Sequence, residues 1–423
     1  MKKTLLLATT LAGIALLPAG LARAADAAAV LDTYGDIAEA AYAESVATAE
    51  DLSAAVDALI AKPSDETLAA ARKAWLAARR PYQQTEVYRF GNAIVDDWEG
   101  KVNAWPLDEG LIDYVDAGYG SDNPENAFYT ANVIANPKIT AGGREIDATE
   151  ITPALLSEEL QEAGEIEANV ATGYHAVEFL LWGQDLNGTD KGAGNRPATD
   201  FDAANCTGGN CERRAAYLKA ATELLLSDLK EMADAWKDGG AARAELAEKG
   251  EAGGLATILT GMGSLSYGEL AGERMKLGLM LHDPEEEHDC FSDNTHMSHY
   301  DDVMGIRNVW FGRYEGFAGK SVEGASLRDL VAAKDAAVAE EVTAKLDATL
   351  AAFEALRKRA ETVEAYDQMI GEGNDEGNAV VQAAVDSLID QTRSIERAVA
   401  TLGLDEIAFE GSDSLDNPGA VFQ

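Results

Sequence analysis

Basic residues are scarce in this chain of 423 residues, where 34 lysines and arginines stand against 74 aspartates and glutamates. The formal net charge of −40 repels nucleic acids and anionic lipids, which excludes both as main partners. Long apolar runs are missing beyond the N-terminus, so no later segment reads as a membrane helix. The dinucleotide, P-loop and G-x-S-x-G patterns are also absent, and the sequence therefore supports neither nucleotide chemistry nor a serine nucleophile.

Cysteine is rare as well, with three residues in the chain. Cys206 and Cys211 flank a short polar loop, and their spacing permits a disulfide in an oxidising compartment. They make a poor zinc site, because no second pair of ligands lies nearby in sequence. The role of Cys290 stays open: it is a buried thiol, a metal ligand or a partner in a different disulfide. No C-x-x-C-H motif occurs, which excludes covalent c-type haem.

The first 24 residues have the pattern of a cleavable export signal. Lys2 and Lys3 precede an apolar run over residues 5–17, and Ala22-Arg23-Ala24 is an A-x-A cleavage site. The run is too short for a stable membrane anchor, and no cysteine follows it for a lipid anchor. We therefore expect a mature protein that begins at Ala25, is released into the periplasm and does not insert into a membrane after signal cleavage.

Helix-forming residues dominate the remainder, and no run has the two-residue period of a strand. The sequence predicts an all-α protein of two helical bundles, over residues 25–200 and 201–423, with long irregular aromatic-rich loops. The two halves have a similar order of helices and loops, which indicates an internal duplication. The irregular segments are 96–150, 183–209 and 282–324. Helices are predicted over residues 26–61, 65–90, 153–163, 166–182, 212–237, 241–249, 254–281, 334–371 and 376–402.

The segment from Gly173 to Gly183 carries the sharpest chemical pattern, with His175 and Glu178 three positions apart. Residues at this spacing share one face of a helix, so a nitrogen and a carboxylate oxygen can approach the same ion. The bare H-x-x-E pattern is weak by itself. A histidine satisfied inside a partly apolar helix, with the glutamate on the solvated side, also explains it.

Four of the five histidines lie between residues 282 and 299, among acidic residues and one cysteine. Imidazole, carboxylate and thiolate donors together suit zinc, copper or iron, so this loop is a second candidate site. A solvated acidic loop is the alternative, and haem bound through His296, Met297 or His299 is another. The candidate ligands of the second site are His282, His288, Asp289, Cys290, His296 and His299.

The longer string of Gly173, His175, Glu178, Trp182-Gly183 and Asp185 resembles the signature of the imelysin family, in particular its iron-regulated protein A branch. Three further segments resemble that branch: Arg80-Pro-Tyr82 with Glu86, residues 103–109, and residues 286–296. The resemblance covers essentially the whole mature chain. It implies an all-helical fold of two related bundles with a site where they meet, and a link to iron-regulated expression and iron uptake.

By matching positions, the resemblance makes His175 and Glu178 metal ligands, with Glu86 as the third. Iron or an iron chelate is then the expected ligand, with zinc or copper as alternatives, and an iron-transport component of the envelope is the expected partner. Arg79, Arg80 and Arg274 would balance the acidic groups or bind an anionic chelate. The pocket around the ligands is predicted to contain Arg80, Tyr82, Trp105, Asp108, Gly173, Trp182 and Arg274.

Two other functions stay open at this point. The imelysin family was first labelled as metallopeptidases, but H-E-x-x-H is absent here, since Ala176 follows His175 and Phe179 stands four positions after it. A peptidase would need an open coordination position and a base close to a bound water. A non-catalytic protein-docking module, in which His175 and Glu178 serve only structure, predicts no metal-dependent change in stability.

Overall fold

The structure is a computed structural model, and it describes residues 26–121 and 123–422. The export signal predicted at residues 1–24 lies outside the described residues. Among the described helices, none is both long enough and apolar enough to cross a bilayer.

The described residues form α-helices joined by loops, short 3-10 and π-helical stretches and two small hairpins. The α-helices are α1 (Ala27–Ala61), α2 (Asp65–Gln83), α3 (Ala93–Glu99), α4 (Glu109–Ile112), α5 (Pro153–Leu155), α6 (Gly173–Trp182), α7 (Cys211–Trp236), α8 (Ala241–Glu248), α9 (Gly250–Ser264), α10 (Leu277–Leu281), α11 (Thr295–Phe311), α12 (Leu327–Ala332), α13 (Ala336–Thr362), α14 (Tyr366–Ile370), α15 (Asp375–Leu402) and α16 (Asp413–Asp416). The π-helical stretches are Leu156–Leu160 and Leu265–Lys276, and the 3-10 turns are Glu86–Tyr88, Ala117–Tyr119, Ala198–Phe201 and Pro284–Glu286. The hairpins pair β1 (Lys138–Ala141) with β2 (Arg144–Asp147) and β3 (Arg313–Glu315) with β4 (Ser321–Glu323), both antiparallel.

Helices α1, α2, α6 and α7 pack around one core and form the first bundle. Helix α2 begins at Ser64, whose hydroxyl accepts from the Thr67 amide while the Ser64 amide donates back to the Thr67 hydroxyl. Its buried face then repeats at helical spacing through Trp75, Arg79 and Tyr82, each at most 1 % exposed. The helical repeat therefore points one arginine into the protein interior.

The second bundle consists of α11, α13, α15 and the continuous run of α9 and its π-helical extension. The all-α fold is thereby confirmed, while the internal duplication stays a prediction. The predicted boundary between residues 200 and 201 does not coincide with the packing. Helix α7 follows that boundary, yet it completes the first bundle by packing on α1 and α6.

Helix α11 was not predicted, because the whole segment 282–324 was expected to be irregular. The apolar residues that α11 buries are confined to its second half, and the helix also buries the polar residues Ser298, Asp301, Asp302 and Asn308. These side chains are satisfied by partners on other elements rather than by water, which hides the helix from a hydrophobic pattern. The predicted helix over 166–182 begins only at Gly173, and the two hairpins are also additions to the prediction.

Cys206 and Cys211 form the predicted disulfide, with their Cα atoms 5.9 Å apart. Cys290 is a free, half-buried thiol. The Cys206–Cys211 disulfide closes the loop that leads into α7.

The two bundles meet where α2 crosses α11. A Cβ atom on Gly305 of α11 would lie 2.6 Å from the backbone oxygen of Gln84, just beyond the end of α2. Beside this contact, Asn308 donates to the side-chain oxygen of Gln84 at 2.8 Å, and Arg80 pairs with Asp301 at 2.9 Å. The glycine therefore allows the close approach that brings side chains of both bundles into one buried region.

We expect Gly305→Ala to lower the free energy of unfolding by about 1–3 kcal/mol, because the new methyl group collides with backbone. At a helical position with free space, replacing glycine by alanine would instead raise the free energy of unfolding by up to about 1 kcal/mol. Gly100→Ala is the matched control, since its Cβ would meet no atom closer than 3.9 Å. Urea denaturation of both variants measures the difference, and an unchanged Gly305→Ala protein would contradict the proposed close contact.

Candidate metal centre between the bundles

Helix α6 starts at Gly173 in a backbone conformation that favours glycine, with φ of 79°. A Cβ atom there would lie 2.4 Å from the backbone oxygen of Val102, which also accepts from the Tyr174 amide at 2.7 Å. The start of α6 is therefore in close contact with the backbone just after α3. As a result, His175 and Glu178 lie inside the protein, 1 % and 0 % exposed.

His175 and Glu178 contact each other, as their spacing predicts. Nδ1 of His175 lies 3.2 Å from Oε2 of Glu178. The other carboxylate oxygen of Glu178 accepts from the amide of Ser292 at 3.0 Å and from its hydroxyl at 2.6 Å. Burial, followed by the charge of Asp289, raises the pKa of Glu178 well above its usual range, although the two hydrogen bonds from Ser292 act in the opposite direction. Glu178 thus orients His175 and ties α6 to the loop before α11.

The Arg79 guanidinium lies at the point where three potential metal donors converge. Its Nη2 atom is 2.8 Å from Oδ1 of Asp289, 3.3 Å from Nε2 of His175 and 3.5 Å from Nδ1 of His288. Single donor atoms of these three residues all lie within 4.8 Å of one another. Because a guanidinium only donates hydrogen bonds, an imidazole nitrogen that bonds to Nη2 does so through its lone pair.

The protonation states in this cluster favour metal ligation. Burial, and then the positive charge of Arg79, lowers the pKa of His175 well below its usual value. Burial lowers the pKa of His288 in the same way, helped by Arg274 and Arg79. Burial opposes ionisation of Asp289, but the Arg79 charge outweighs it and lowers the pKa of that carboxyl to about 2. The cluster therefore offers two neutral imidazoles and one carboxylate.

Neighbouring side chains hold the members of the cluster in place. Asp289 accepts from Asn294 at 2.8 Å and from the Ser298 hydroxyl, both through the oxygen that does not contact Arg79. Arg79 also donates to Oδ1 of Asn103 at 2.6 Å. The donor geometry is thus fixed from α2, from α6 and from the start of α11.

Only some residues of the loop that was predicted as a second site lie beside His175. His288 and Asp289 belong to the cluster around His175, and the ring of His299 stacks 6.2 Å from that of His288. Both ring nitrogens of buried His299 lack a hydrogen-bond partner.

The other members of that loop point elsewhere. His282 donates to the Ile370 carbonyl at 2.6 Å and His296 to the Asp293 carbonyl at 3.1 Å. Burial, with the nearby Glu285 charge, raises the pKa of the Cys290 thiol well above its usual range, which disfavours a thiolate ligand.

Glu86 lies in a separate buried network rather than beside His175. Its carboxylate accepts from Nη2 of Arg274 at 2.6 Å, and Arg274 also pairs with Glu269 at 2.7 Å and with Asp302 at 3.3 Å. Although burial opposes ionisation of Glu86, Arg274 lowers the pKa of its carboxyl. Arg274, which was predicted to line the metal pocket, therefore pairs with Glu86, which was predicted to bind the metal.

Two of the predicted pocket residues contact the cluster. The Tyr82 ring lies 5.8 Å from the Arg79 guanidinium. Trp105 stands edge-on to the His288 ring at 5.7 Å and donates through its indole nitrogen to the backbone oxygen of Glu287 at 3.0 Å. These aromatic rings enclose the cluster.

The remaining predicted pocket residues have other partners. Arg80 pairs with Asp301, Asp108 accepts from Asn126 at 2.6 Å, and the Trp182 ring packs edge-on to Trp75 at 5.4 Å. They support the surrounding structure without contacting the donor atoms.

Arg79 was expected to balance acidic groups or to bind an anionic chelate, yet this residue lies at the centre of the cluster. A signal for its position was present, because Arg79 shares a helical face with Trp75 and Tyr82. Asn103 and Ser292 lie in the segments 103–109 and 286–296 that resemble the family branch, but nothing in those segments indicated their contacts. They become visible only when distant segments pack together.

Several carboxyl groups close to this region lack basic partners. The pKa values of Glu109, Asp293 and Asp367 are each raised to about 7, with burial as the main cause. For Asp293 and Asp367, neighbouring carboxylates raise the pKa further. The fold therefore holds acidic groups that are difficult to ionise.

A family model described as imelysin matches residues 38–395. The chain belongs to the imelysin family. This imelysin is also similar to the iron-regulated protein A of Synechococcus elongatus, with 36 % identity over 67 residues, which is 16 % of this chain and 19 % of that protein. The matched segment thus spans about a fifth of the length of that curated relative.

A solved structure with a similar fold comes from Parabacteroides distasonis and is provisionally named an iron-regulated protein A precursor. It aligns with a TM-score of 0.64 at 19 % identity, over 91 % of this imelysin and 97 % of the other chain. At this identity the likeness shows the fold. The shared architecture extends across both helical bundles.

We expect Arg79→Ala to lower the free energy of unfolding of the metal-free imelysin by about 3–5 kcal/mol, because Asp289 would remain buried without its partner. Both side chains of this ion pair are 0 % exposed. Arg144→Ala, which breaks an exposed pair with Glu159, should cost no more than about 1 kcal/mol. Urea denaturation compares the two variants. A similar small loss in both would show that the Arg79–Asp289 pair does not stabilise the junction.

The raised pKa of Glu109 predicts a pH-dependent stability. In the folded chain the Glu109 carboxyl keeps its proton up to about pH 7, whereas in the unfolded chain it loses the proton near the ordinary glutamate pKa of about 4.3. Stability from this group is therefore lost as the pH rises from about 4 to 7. Glu109→Gln should raise the free energy of unfolding by up to about 3 kcal/mol at pH 8 and leave it unchanged near pH 4.

Denaturation at both pH values, in the presence of a chelator, measures the effect of Glu109→Gln. Asp405→Asn is the control, because Asp405 is exposed near the C-terminus. Equal effects of Glu109→Gln at the two pH values would contradict the raised pKa.

Proposed function

We propose that this imelysin-family protein acts in iron acquisition in the periplasm and binds iron as its cargo at His175, His288 and Asp289. The observation that supports this proposal is the convergence of one donor atom from each of these buried residues on a single point. The spacing of the donors, at most 4.8 Å, suits a single ion better than a bulky chelate. The name of the Synechococcus relative agrees with an iron-related role.

The donor chemistry suits ferrous iron. Two imidazoles and one carboxylate form the facial set that is typical of non-haem iron sites and leaves further coordination positions free. The contact from Glu178 to Nδ1 of His175 matches the usual arrangement in which a carboxylate orients a ligating histidine. In this proposal His175 is a ligand and Glu178 positions it, which gives the two residues of the H-x-x-E pattern different roles.

Arg79 gives the site an internal cation in the metal-free state. Its Nη2 atom lies at hydrogen-bond distance from all three donors, so a metal ion and this nitrogen compete for the same position. Iron binding then requires the guanidinium to move, while Asn103 offers it another acceptor through Oδ1. Release of iron to an envelope transport component would follow when Arg79 returns to the donors.

The location in the periplasm rests on the export pattern of residues 1–24 and on the oxidising environment that a disulfide requires. Cys206 and Cys211 are bonded to each other. Such bonds persist in exported proteins and are rare in the cytosol.

Iron should stabilise the folded mature protein by about 2.7 kcal/mol when the free metal exceeds its Kd by a hundredfold. We expect His175→Ala and His288→Ala to remove most of this effect. His296→Ala is the matched control, because His296 lies in the first turn of α11, close in sequence to His288, but bonds to a backbone carbonyl away from the donors. Thermal unfolding of chelator-treated protein with ferrous iron under anaerobic conditions, and separately with zinc and copper, provides the measurement.

Arg79→Ala separates this proposal from a purely structural cluster. Removing the competing guanidinium should tighten iron binding, even though the metal-free variant is less stable. If neither the wild type nor Arg79→Ala is stabilised by iron, the proposed site is wrong. If zinc or copper alone has the effect, the site binds metal but the iron assignment fails.

A further inference from the structure

A second group of donors lies apart from the histidine cluster and consists of oxygen atoms alone. One carboxylate oxygen each from Glu287, Asp293 and Asp367 lies within 4.8 Å of the other two. Glu287 and Asp293 flank the segment that contains His288 and Asp289, whereas Asp367 lies in the short helix α14. The group therefore connects two segments that are more than 70 residues apart in sequence.

Two of these carboxylates are buried and the third, on Asp293, is partly buried, and all three have an oxygen without the partner that such groups need. Glu287 and Asp367 are each 1 % exposed. Oε1 of Glu287, Oδ1 of Asp293 and both carboxylate oxygens of Asp367 have no hydrogen-bond partner. Among the ion pairs of residues 26–121 and 123–422, none includes any of the three. Buried carboxylates in this state require either protons or a cation, because isolated buried charge is strongly unfavourable.

We propose that Glu287, Asp293 and Asp367 bind a hard divalent cation of the calcium, manganese or magnesium class. Oxygen-only donor sets suit these ions, whereas the imidazoles of the neighbouring cluster suit iron, zinc or copper. The separation of at most 4.8 Å between these oxygens is compatible with one shared ion, since two oxygens on opposite sides of a calcium ion are about 4.6–5.2 Å apart. Waters and the second oxygen of Asp367 would complete the coordination.

The cation would position the loop that supplies two of the proposed iron ligands. Glu287 directly precedes His288, and its backbone oxygen is already held by the indole of Trp105 at 3.0 Å. A cation shared with Asp367 would attach this loop to α14 in the second bundle. The site thus has a structural task that does not depend on what the histidine cluster binds.

Calorimetric titration of the chelator-treated mature protein at pH 8 with calcium, manganese and magnesium tests the proposal. At least one of these ions should bind with one-to-one stoichiometry and raise the unfolding temperature. Asp367→Asn should weaken that binding at least tenfold. Glu372→Gln is the matched control, since Glu372 is exposed and only five residues further along the chain.

Two variants distinguish failure of the oxygen site from failure of the proposed iron site. Asp367→Asn removes a buried charge, so this variant should fold without the cation and can be titrated. His175→Ala should bind the hard cation as the wild type does, even if the iron proposal fails. Binding of none of the three ions, or binding that Asp367→Asn leaves unchanged, would overturn the proposed oxygen site.

Discussion

The junction of the two bundles depends on one buried guanidinium. Arg79 projects from α2 of the first bundle and pairs with Asp289 from the loop that leads into α11 of the second. The same guanidinium contacts His175 of α6 and His288 of that loop, so one side chain joins three segments of the chain. Because an unpaired charge in this interior would be severely destabilising, the position of Arg79 constrains how the bundles can pack. The converging donors follow from that constraint.

The chain is poor in basic residues, and two of its buried arginines each pair with more than one acid. Arg274 contacts Glu86, Glu269 and Asp302, while Arg196 pairs with Asp113 and Asp200. Where no arginine is present, around Glu287 and Asp367, the carboxylates stay unpartnered. The excess of acidic over basic residues therefore explains both the arginines that pair with several acids and the buried carboxylates that have no basic partner.

Local patterns predicted much of the fold. Helix α1 was expected over 26–61 and lies at Ala27–Ala61, and α7 was expected over 212–237 and lies at Cys211–Trp236. The disulfide and the contact between His175 and Glu178 also follow from short spacings. These features depend on residues near one another in sequence, which is why periodicity and spacing reveal them.

The remainder depends on contacts between distant segments. Helix α11 escaped prediction because much of its buried face is polar, and its partners Arg80 and Gln84 come more than 200 residues earlier. The arrangement of Glu86 with Arg274 rather than with His175 is likewise set by packing of the second bundle on the first. Asp367 could not be joined to Glu287 by any sequence pattern. Such groupings arise only when the tertiary structure forms.

We propose that iron replaces the Arg79 guanidinium at His175, His288 and Asp289. A crystal structure of the protein loaded anaerobically with ferrous iron, with anomalous scattering at the iron edge, would locate the ion. We expect one iron peak about 2.1 Å from the two imidazole nitrogens and the Asp289 carboxylate, with the guanidinium displaced. Iron bound elsewhere, or an Arg79 side chain still in contact with all three donors in the loaded protein, would refute this replacement.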